Sequence, residues 1–187
     1  MRILRRAGYR RMPWKNGGGL TEEIAREPAE GEFSWRLSMA RIDAPGPFSD
    51  FSGYTRVMVL LEGAGLTLRA AGEQDRTLRR PGDCTRFDGS LAIHCDLRGG
   101  ACSDLNLMVR KDRSFEAGVE AVTAPLPLRP EGSQLIVVAL EDVLIESDTQ
   151  HVPLTAWDTV LLDGGEQATL SAGTHARRIF IARIPAG

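Results

Sequence analysis

Short strand-forming segments recur along the whole chain, whereas helical periodicity is nearly absent from it. The segments are rich in β-branched and apolar residues and are separated by glycine, proline and Asp-Gly turns. They are FSWRLSMARI (33–42), TRVMVLLEG (55–63), GLTLRA (65–70), SDLNLMVR (103–110), SQLIVVALE (133–141), DTVLLDG (158–164) and RRIFIARI (177–184). Many short strands with regular turn signals predict an all-β antiparallel sandwich or barrel.

A proline-rich stretch, APLPLRPEG at 124–132, has the composition of a semi-rigid connector. The sequences on its two sides are related, since 57–89 and 135–164 each contain a hydrophobic strand, a leucine about twenty residues later, an acidic turn and a closing Asp-Gly. We therefore predict an internal duplication with two small β-barrels. The first barrel is placed at residues 1–115 and the second, smaller and structural one at 116–187, with strand exchange between the halves left open.

The overall composition argues against several classes of protein. The 187 residues are 42% hydrophobic and carry a formal net charge of −2, so no global field favours nucleic acid or a membrane surface. Five arginines crowd the first eleven residues, and we interpret them as a solvated edge because the stretch lacks the stacking motifs of a nucleic-acid arm. Three cysteines without CxxC spacing indicate reduced thiols in a cytoplasmic protein.

The stretch MPWKNGGGLTEE at 12–23 places three consecutive glycines after Lys15 and Asn16. Glycine loses the most backbone freedom on folding, so a run of three implies a backbone path that ordinary residues cannot follow. A flexible turn is one interpretation, and the other is a surface where a ligand meets bare peptide N–H groups. Lys15 is one of only two lysines beside 21 arginines, which indicates a position that favours a compact point charge.

Alternation along the strand segments puts polar side chains on a single face in four separate places. These side chains are Thr21 and Glu23, Arg36 and Ser38, Arg56, and Asp104 and Asn106. They can face water, as one side of an antiparallel sheet commonly does, or converge on a small molecule inside a barrel mouth. Arg56 shares its face with Met58 and Leu60, which suits a partly apolar cavity, but alternation alone leaves both interpretations open.

A cavity built from these side chains would hold both signs of charge with a slight cationic excess. Lys15, Arg36 and Arg56 are positive, and Glu23 and Asp104 are negative. Guanidinium groups can hold a carboxylate by two parallel charge-assisted hydrogen bonds, and the neighbouring glycines would let backbone N–H groups approach the same anion. The set therefore suits an anionic or amino-acid-like ligand.

Several familiar chemistries are missing from the sequence. Its glycines do not form a P-loop, because the lysine precedes them, and no G-x-S-x-G elbow or nucleophilic cysteine context is present. His94, His151 and His175 are isolated, and no H-x-H or H-x-x-x-H pair supplies two ligands from one element. We therefore expect no metal and no other cofactor.

Four segments carry a family resemblance. They are MPWKNGGGLTEEI, FSWRLSMARI, GPFSDFSGYTRVMVLLEG and SDLNLMVR. Together they resemble the HutD family of histidine-utilisation proteins and its Ves relatives, strongly over residues 9–110. The resemblance implies a bicupin, with two double-stranded β-helix (cupin) barrels in one chain and a degenerate second half. Most cupins carry histidines in their first motif, but here that region has none, although the PGD turn is kept at 81–83.

The resemblance also implies a function and a site. The family is similar to proteins encoded with histidine-degradation enzymes and is regarded as a small-molecule-responsive accessory or regulator, with a formylated or formiminated glutamate as the natural candidate ligand. The family pattern implies ligand-binding roles for a set of residues in the first half. These are Trp14, Lys15, Asn16, Gly17, Gly18, Gly19, Thr21, Glu23, Trp35, Arg36, Ser38, Phe48, Ser49, Arg56, Asp104 and Asn106.

Two functions of different classes follow from these patterns. The leading hypothesis is a metal-free cytoplasmic cupin that binds a small acidic metabolite and regulates or assists histidine catabolism without turnover. The alternative is an isomerase or hydrolase acting on the same class of compound, with Glu23 or Asp104 near Lys15 as an acid–base pair. We expect neither nucleic acid nor a membrane as a partner, while the exposed edge strands of two barrels leave a homodimer open.

Overall fold

The computed structural model describes residues 1–14 and 17–185, and nearly all of the regular structure there is β-strand. One short 3₁₀ turn, Arg6–Gly8, is the helical element among these residues. The strands of the N-terminal part are β1 (Arg2–Leu4), β2 (Arg10–Pro13), β3 (Gly19–Glu27), β4 (Trp35–Ile42), β5 (Gly46–Pro47), β6 (Tyr54–Glu62), β7 (Leu66–Arg69), β8 (Arg76–Leu78), β9 (Cys84–Asp88), β10 (His94–Leu97) and β11 (Cys102–Arg110). Those of the C-terminal part are β12 (Glu116–Val122), β13 (Leu126–Leu128), β14 (Ser133–Ala139), β15 (Val143–Ser147), β16 (Gln150–Leu154), β17 (Thr159–Leu162), β18 (Ala168–Ser171) and β19 (Arg177–Pro185).

This content confirms the all-β prediction. Within the described residues, no helix has the length and apolar character needed to cross a membrane.

The strands form two compact units, and the boundary between the units differs from the predicted one. Residues 10–112 form one unit, which we call the first barrel from here on. Met1–Tyr9 and the chain from Arg113 onward form the other unit, the second barrel. The predicted division after residue 115 counts the N-terminal strand with the first barrel. In the structure β1 instead pairs antiparallel with β17, in the second barrel.

The first barrel consists of two sheets that share an apolar core. The larger sheet has the strand order β2-β3-β4-β11-β6-β9, and the smaller has the order β5-β10-β7-β8. The core draws Met58 and Leu60 from the larger sheet and Leu66 and Leu68 from the smaller one, all of them buried. Because side chains alternate across a strand, the face of β6 that sends Met58 and Leu60 inward also carries Arg56.

The second barrel repeats this arrangement. Its sheets have the orders β1-β17-β14-β19-β12 and β13-β18-β15-β16. Strands β1, β2 and β3 have no counterpart in this comparison. Every other strand of the first barrel corresponds to the strand of the second barrel whose number is eight higher, so that the order β4-β11-β6-β9 corresponds to β12-β19-β14-β17. Eight strands in two sheets are the jelly-roll architecture of cupins, which confirms the predicted duplication and the bicupin fold. The interior of the second barrel is an apolar cluster that includes Leu135, Val137, Ile145 and Leu170.

Side-chain contacts, as well as β1, hold the N-terminal segment to the second barrel. The Arg5 guanidinium donates a hydrogen bond to Asp158 Oδ2 at 2.6 Å. Asp158 is 2% exposed and also accepts hydrogen bonds from the backbone N–H of Arg6 and from the backbone and side chain of Thr155. One buried carboxylate thus joins chain segments that are far apart in the sequence.

Candidate functional site

Polar side chains from several strands meet on one face of the larger sheet in the first barrel. The antiparallel register places Ser38 opposite Asn106, and it places both Arg36 and Arg56 opposite Met108, one on either side. Residues that are directly opposite in a ladder point to the same side of the sheet. The parity groups of β4, β6 and β11 therefore combine into one continuous polar surface.

This surface lines a cavity of about 560 Å³ in the first barrel, a volume typical of small-molecule sites. The described lining residues are Trp14, Thr21, Arg36, Ser38, Ala40, Pro47, Phe48, Ser49, Phe51, Arg56, Asp104, Asn106 and Met108. Arg56, Asp104 and Asn106 are at most 5% exposed. They form the floor of a cavity rather than a solvated outer face.

Most of the predicted site residues lie at this cavity. Those that line it are Trp14, Thr21, Arg36, Ser38, Phe48, Ser49, Arg56, Asp104 and Asn106. Glu23 is not among the described lining residues but contacts one of them, Arg36. Trp35 needs a correction, because alternation along β4 turns its ring to the face opposite Arg36, where it is 2% exposed.

The predicted glycine surface lies only partly within the described residues. Lys15 and Asn16 lie outside the described residues, and Gly17, Gly18 and Gly19 are not among the described lining residues. The predicted contact between their N–H groups and a ligand stays a prediction, and the described structure shows a packing role at Gly19, the last glycine of the run.

Gly19 allows the start of β3 to pass close to its neighbours. A Cβ at this position would lie 2.3 Å from the Arg41 carbonyl oxygen and 3.1 Å from the Trp14 ring. The backbone N–H of Trp14 donates to the Gly19 carbonyl at 3.0 Å, and its indole Nε1 donates to Thr21 Oγ1 at 2.8 Å. These contacts hold the Trp14 ring at the cavity.

Four lining residues were not predicted from the sequence. They are Ala40, Pro47, Phe51 and Met108. Alternation could have found Ala40 and Met108, since they share the faces of Ser38 and Asn106. Pro47 and Phe51 lie in and after the short strand β5, where no alternation exists to assign a face.

A hydrogen-bonded chain of three buried side chains forms the cavity floor. Arg56 Nη2 donates to Asn106 Oδ1 at 2.7 Å, and the Asn106 side-chain amide in turn donates to Asp104 Oδ2. Asn106 therefore lies between the guanidinium and the carboxylate. Arg56 Nε and Asp104 Oδ1 have no hydrogen-bond partner among the described residues. Burial raises the pKa of Asp104 to about 7, although the positive charge of Arg56 opposes this shift.

Three phenylalanine rings surround the Arg56 guanidinium. The ring centroids of Phe48, Phe51 and Phe87 lie 5.2, 5.4 and 5.0 Å from Arg56 Cζ. Their π systems attract a cation but do not replace a charge-assisted hydrogen bond. Burial lowers the pKa of Arg56 to about 10, with Asp104 opposing, so the group remains cationic at neutral pH.

The second arginine of the cavity is already paired. Arg36 Nε donates to Glu23 Oε2 at 2.6 Å, and the two side chains are only 13% and 12% exposed. No carboxylate of the described residues makes a comparable direct ion pair with Arg56. Of the two arginines that line this cavity in the described residues, Arg56 is the one without a direct carboxylate partner.

Metal-ligating side chains do not gather in the part of the chain that the structure describes. There, no group of three or more His, Cys, Asp or Glu side chains could hold an ion. His94, the histidine of the first barrel, has a side chain that is 55% exposed and lies 3.6 Å from Asp96. It is a surface residue of β10.

Comparison with known proteins identifies relatives over nearly the whole chain. An uncharacterized 21.2 kDa protein in the hutC 3′ region of Pseudomonas putida is 46% identical over 173 residues, which cover 89% of each chain. Protein Ves of Citrobacter koseri is 42% identical over 109 residues, or 56% of each chain. The solved structure of HutD from Pseudomonas fluorescens SBW25 superposes with a TM-score of 0.82 at 31% identity and covers 99% of both chains.

A sequence model described as HutD matches residues 6–180, a span that includes every strand of the first barrel and most of the second. The match extends over both barrels, so it does not depend on the cavity segments alone. The chain belongs to the HutD family.

Proposed function

We propose that the first-barrel cavity binds a small carboxylate-bearing metabolite and that the protein regulates or assists histidine catabolism by doing so. The observation that carries this proposal is the buried Arg56 guanidinium at the cavity floor. Its hydrogen-bond partner is the neutral amide of Asn106, and its Nε has no partner among the described residues. It lies at a cavity of ligand size.

An anionic ligand would compensate the buried positive charge of Arg56 at the cavity floor. A buried charge is costly unless it is both paired and hydrogen-bonded. Asp104 compensates Arg56 only through the intervening Asn106, which leaves guanidinium donors available to a ligand. A ligand carboxylate would accept charge-assisted hydrogen bonds from the guanidinium, worth about 1.5–3 kcal/mol each.

Arg36 supplies a second anchor at a defined spacing. Arg36 and Arg56 both lie opposite Met108, so their Cα atoms are two strand spacings, or roughly 10 Å, apart. This spacing suits a short ligand with an acidic group near each guanidinium. A formylglutamate-type intermediate has two such groups, and Trp14 and Phe48 would cover its apolar carbon chain.

The link to histidine catabolism rests on the relatives. The Pseudomonas putida protein is described by its position in the hutC region, and the Pseudomonas fluorescens protein is named HutD. We extend that context to this chain as part of the proposal. Binding of a pathway intermediate would then tie the state of the protein to the flux through the pathway.

Isothermal titration calorimetry with N-formyl-L-glutamate tests the proposal. We expect saturable binding to the wild type and a roughly 10- to 150-fold loss in Arg56→Gln, because the variant removes a charge-assisted contact of about 1.5–3 kcal/mol. Arg86→Gln, which changes an exposed arginine on the neighbouring strand β9, is the matched control and should bind like the wild type. Since Arg56→Gln leaves Asp104 without a cation, Arg56→Gln/Asp104→Asn is the second variant, and thermal unfolding verifies that both fold.

Two results would contradict the binding proposal. One is the absence of saturable heat with N-formyl-L-glutamate, glutarate and formate. The other is an equal affinity for N-formyl-L-glutamate in the wild type and in both folded Arg56 variants.

Catalysis is the second candidate function, and one observation favours it. Asp104 is a buried carboxyl group whose pKa is raised to about 7, which suits a general acid or base. Glu23, the other predicted acid–base residue, is engaged by Arg36 instead. Incubation with the same compounds, followed by chromatography coupled to mass spectrometry, separates the candidates, because chromatography resolves an isomer that has the same mass as its substrate. Unchanged compound supports binding alone, whereas product that is lost in Asp104→Asn supports an isomerase or hydrolase.

A further inference from the structure

We infer that the cavity takes up a proton together with its anionic ligand, and that Asp104 is the residue that receives this proton. The inference rests on the proposed function, because it concerns the same cavity and the same anion. It gives Asp104 a role in setting the affinity through Arg56, rather than in contacting the acidic group of the ligand.

The geometry places two negative groups at one cation. In the ligand-free protein, Asp104 is compensated by Arg56 through the Asn106 amide. A ligand carboxylate at Arg56 would bring a second negative charge to the same guanidinium. Like charges that share a site disfavour each other's ionised form, so one of the two carboxylates gains a proton.

Of the two carboxylates, Asp104 has the weaker hydrogen bonds. It is 0% exposed, and its Oδ1 has no hydrogen-bond partner among the described residues. Its bond to the floor comes from the neutral amide of Asn106, whereas a ligand carboxylate would be bonded by the charged guanidinium itself. When Arg56 interacts with both carboxylates, the ionised form of Asp104 therefore loses more electrostatic stabilisation than the ionised form of the ligand carboxylate.

Among the described residues, the charged side chains of the other strands that share this face of the larger sheet with Asp104 are two arginines and one glutamate. Arg56 lies on β6, and Arg36 lies on β4, on the other side of β11, with its partner Glu23 on β3. An arginine is effectively always protonated and has no proton to gain. Glu23 is bonded directly by the charged guanidinium of Arg36 at 2.6 Å and is partly exposed, whereas the fully buried Asp104 reaches Arg56 only through the neutral amide of Asn106. Asp104 is therefore the less stabilised of the two carboxylates.

Two thiols complete the surroundings of Asp104. Burial raises the pKa of Cys95, on β10, to about 12, and Asp104 adds to this shift. Burial also raises the pKa of Cys102, on β11, with a smaller contribution from Asp104. Both thiols are therefore neutral around pH 7, so neither takes up a proton there.

The sign of the pH effect follows from the pKa of Asp104, which burial raises to about 7 while Arg56 opposes the shift. A bound anion partly neutralises Arg56, so that Arg56 stabilises ionised Asp104 less and the pKa of Asp104 rises further. The affinity is therefore highest below about pH 7 and falls as the pH rises between the ligand-free and the ligand-bound pKa. The carboxyl groups of the ligand have ordinary pKa values of about 3.5–4.5 and do not titrate in that window.

Calorimetry of the wild type with N-formyl-L-glutamate measures the proton directly. Titrations at one pH in two buffers of different ionisation enthalpy, such as HEPES and Tris at about pH 8 or MES and Bis-Tris at about pH 6, give different heats if protons are exchanged. We expect uptake approaching one proton per ligand at about pH 8, little uptake at about pH 6, and an affinity that falls by up to about tenfold per pH unit above pH 7.

The variant Asp104→Asn keeps the size of the side chain but cannot take up the proton. We expect it to bind at about pH 8 at least as tightly as the wild type, without proton uptake and with a flat pH profile. The matched control is His94→Gln, because histidine is the ordinary side chain that titrates near neutrality; this variant should retain the uptake. Thermal unfolding verifies that both variants fold.

The outcomes separate the two proposals. Saturable binding to the wild type without proton uptake, or uptake that persists in Asp104→Asn, overturns this inference and leaves the proposed function standing. Absence of saturable binding overturns both.

Discussion

Gly19, at the end of the triple glycine, occupies a position with no room for a side chain. An added Cβ would lie 2.3 Å from the carbonyl oxygen of Arg41, which is backbone of the neighbouring strand β4. Arg41 cannot withdraw without disturbing the ladder, because it pairs with Leu20 of β3. The glycine is therefore required for the close approach of two strands rather than for flexibility.

We expect Gly19→Ala to destabilise the first barrel by about 1–3 kcal/mol, because backbone rather than a flexible side chain has to move. Gly46→Ala is the matched control, since Gly46 is a strand glycine of the same barrel whose added Cβ would meet nothing within 4 Å. Urea unfolding followed by circular dichroism measures both variants. Equal stabilities would contradict the close approach at Gly19.

Alternation along single strands assigned Arg36, Asp104 and Asn106 to the polar faces of their own strands, but it could not show that these faces converge on one cavity or which residue lacks a charged partner. The charge of Arg36 is satisfied by Glu23, whereas Arg56 is bonded by a neutral amide and lies among aromatic rings. This difference depends on neighbours from other strands and from the loop after β5. No segment read by itself contains that information.

Strand β4 has a core position and a cavity-lining position at consecutive residues. Leu37 and Ser38 are both buried, but they lie on opposite faces of the larger sheet. Ser38 lines the cavity and Leu37 is not among the described lining residues. Stability and ligand affinity should therefore respond to different members of this pair.

We expect Leu37→Ala to lower the free energy of unfolding by about 2–5 kcal/mol through lost packing and the resulting void. The folded variant should bind N-formyl-L-glutamate with nearly wild-type affinity. Ser38→Ala should change the stability little and weaken the binding, because it removes a hydroxyl group from the cavity lining. Denaturant unfolding and calorimetry on the same two proteins reveal the contrast, and the reverse pattern would refute the assigned faces.

Strands whose own residues alternate clearly between apolar and polar were predictable. Strands with weak strand propensity, which form because a neighbouring strand pairs with them, were not. The predicted segments 33–42 and 103–110 correspond to β4 and β11. By contrast, β12 reads EAGVEAV, a composition with weak strand propensity, and it forms along its full length against β19. The edge strand β16 contains Pro153, which an edge tolerates because a proline lacks only the N–H that would bond a further strand.

Asp158 is the residue that ties the N-terminal segment into the second barrel. Burial by itself would raise its pKa, but hydrogen bonds from Arg5, Thr155 and Arg6 outweigh burial and hold the pKa below its usual value of 3.8. A depressed carboxyl pKa means stabilisation that is present above about pH 4 and is lost as the pH falls through the folded-state value.

We therefore expect Asp158→Asn to lose about 1.5–3 kcal/mol of stability at neutral pH, because charge-assisted hydrogen bonds are removed from a buried site. The difference from the wild type should shrink as the pH falls below about 4, where the wild-type carboxyl also becomes neutral. Urea unfolding across this range measures the effect. Asp148→Asn, at an exposed position in the same barrel, is the control, and an equal response of the two variants would contradict the role of Asp158.

At the scale of the molecule, the duplication was visible in the sequence because the two repeats share a strand and turn pattern. The segments 57–89 and 135–164 correspond to the equivalent strands β6–β9 and β14–β17. The position of β1 could not be predicted from the sequence, because a strand of three residues is too short to show a pattern that would identify its partner strand. Its pairing with β17 is stabilised by long-range contacts, namely the backbone hydrogen bonds of the ladder and the hydrogen bond between Arg5 and Asp158.

This pairing has a consequence for synthesis of the chain. Arg5 and Asp158 are 153 residues apart. At elongation rates of about 5–20 residues per second, β1 emerges from the ribosome roughly 8–30 s before its partner strand emerges. The first barrel, by contrast, is encoded by the unbroken stretch 10–112 and can close during translation. Once residue 112 has emerged and until β17 follows, the nascent chain carries a finished barrel together with an unpaired β1, whose strand edge stays open to other partners during that time.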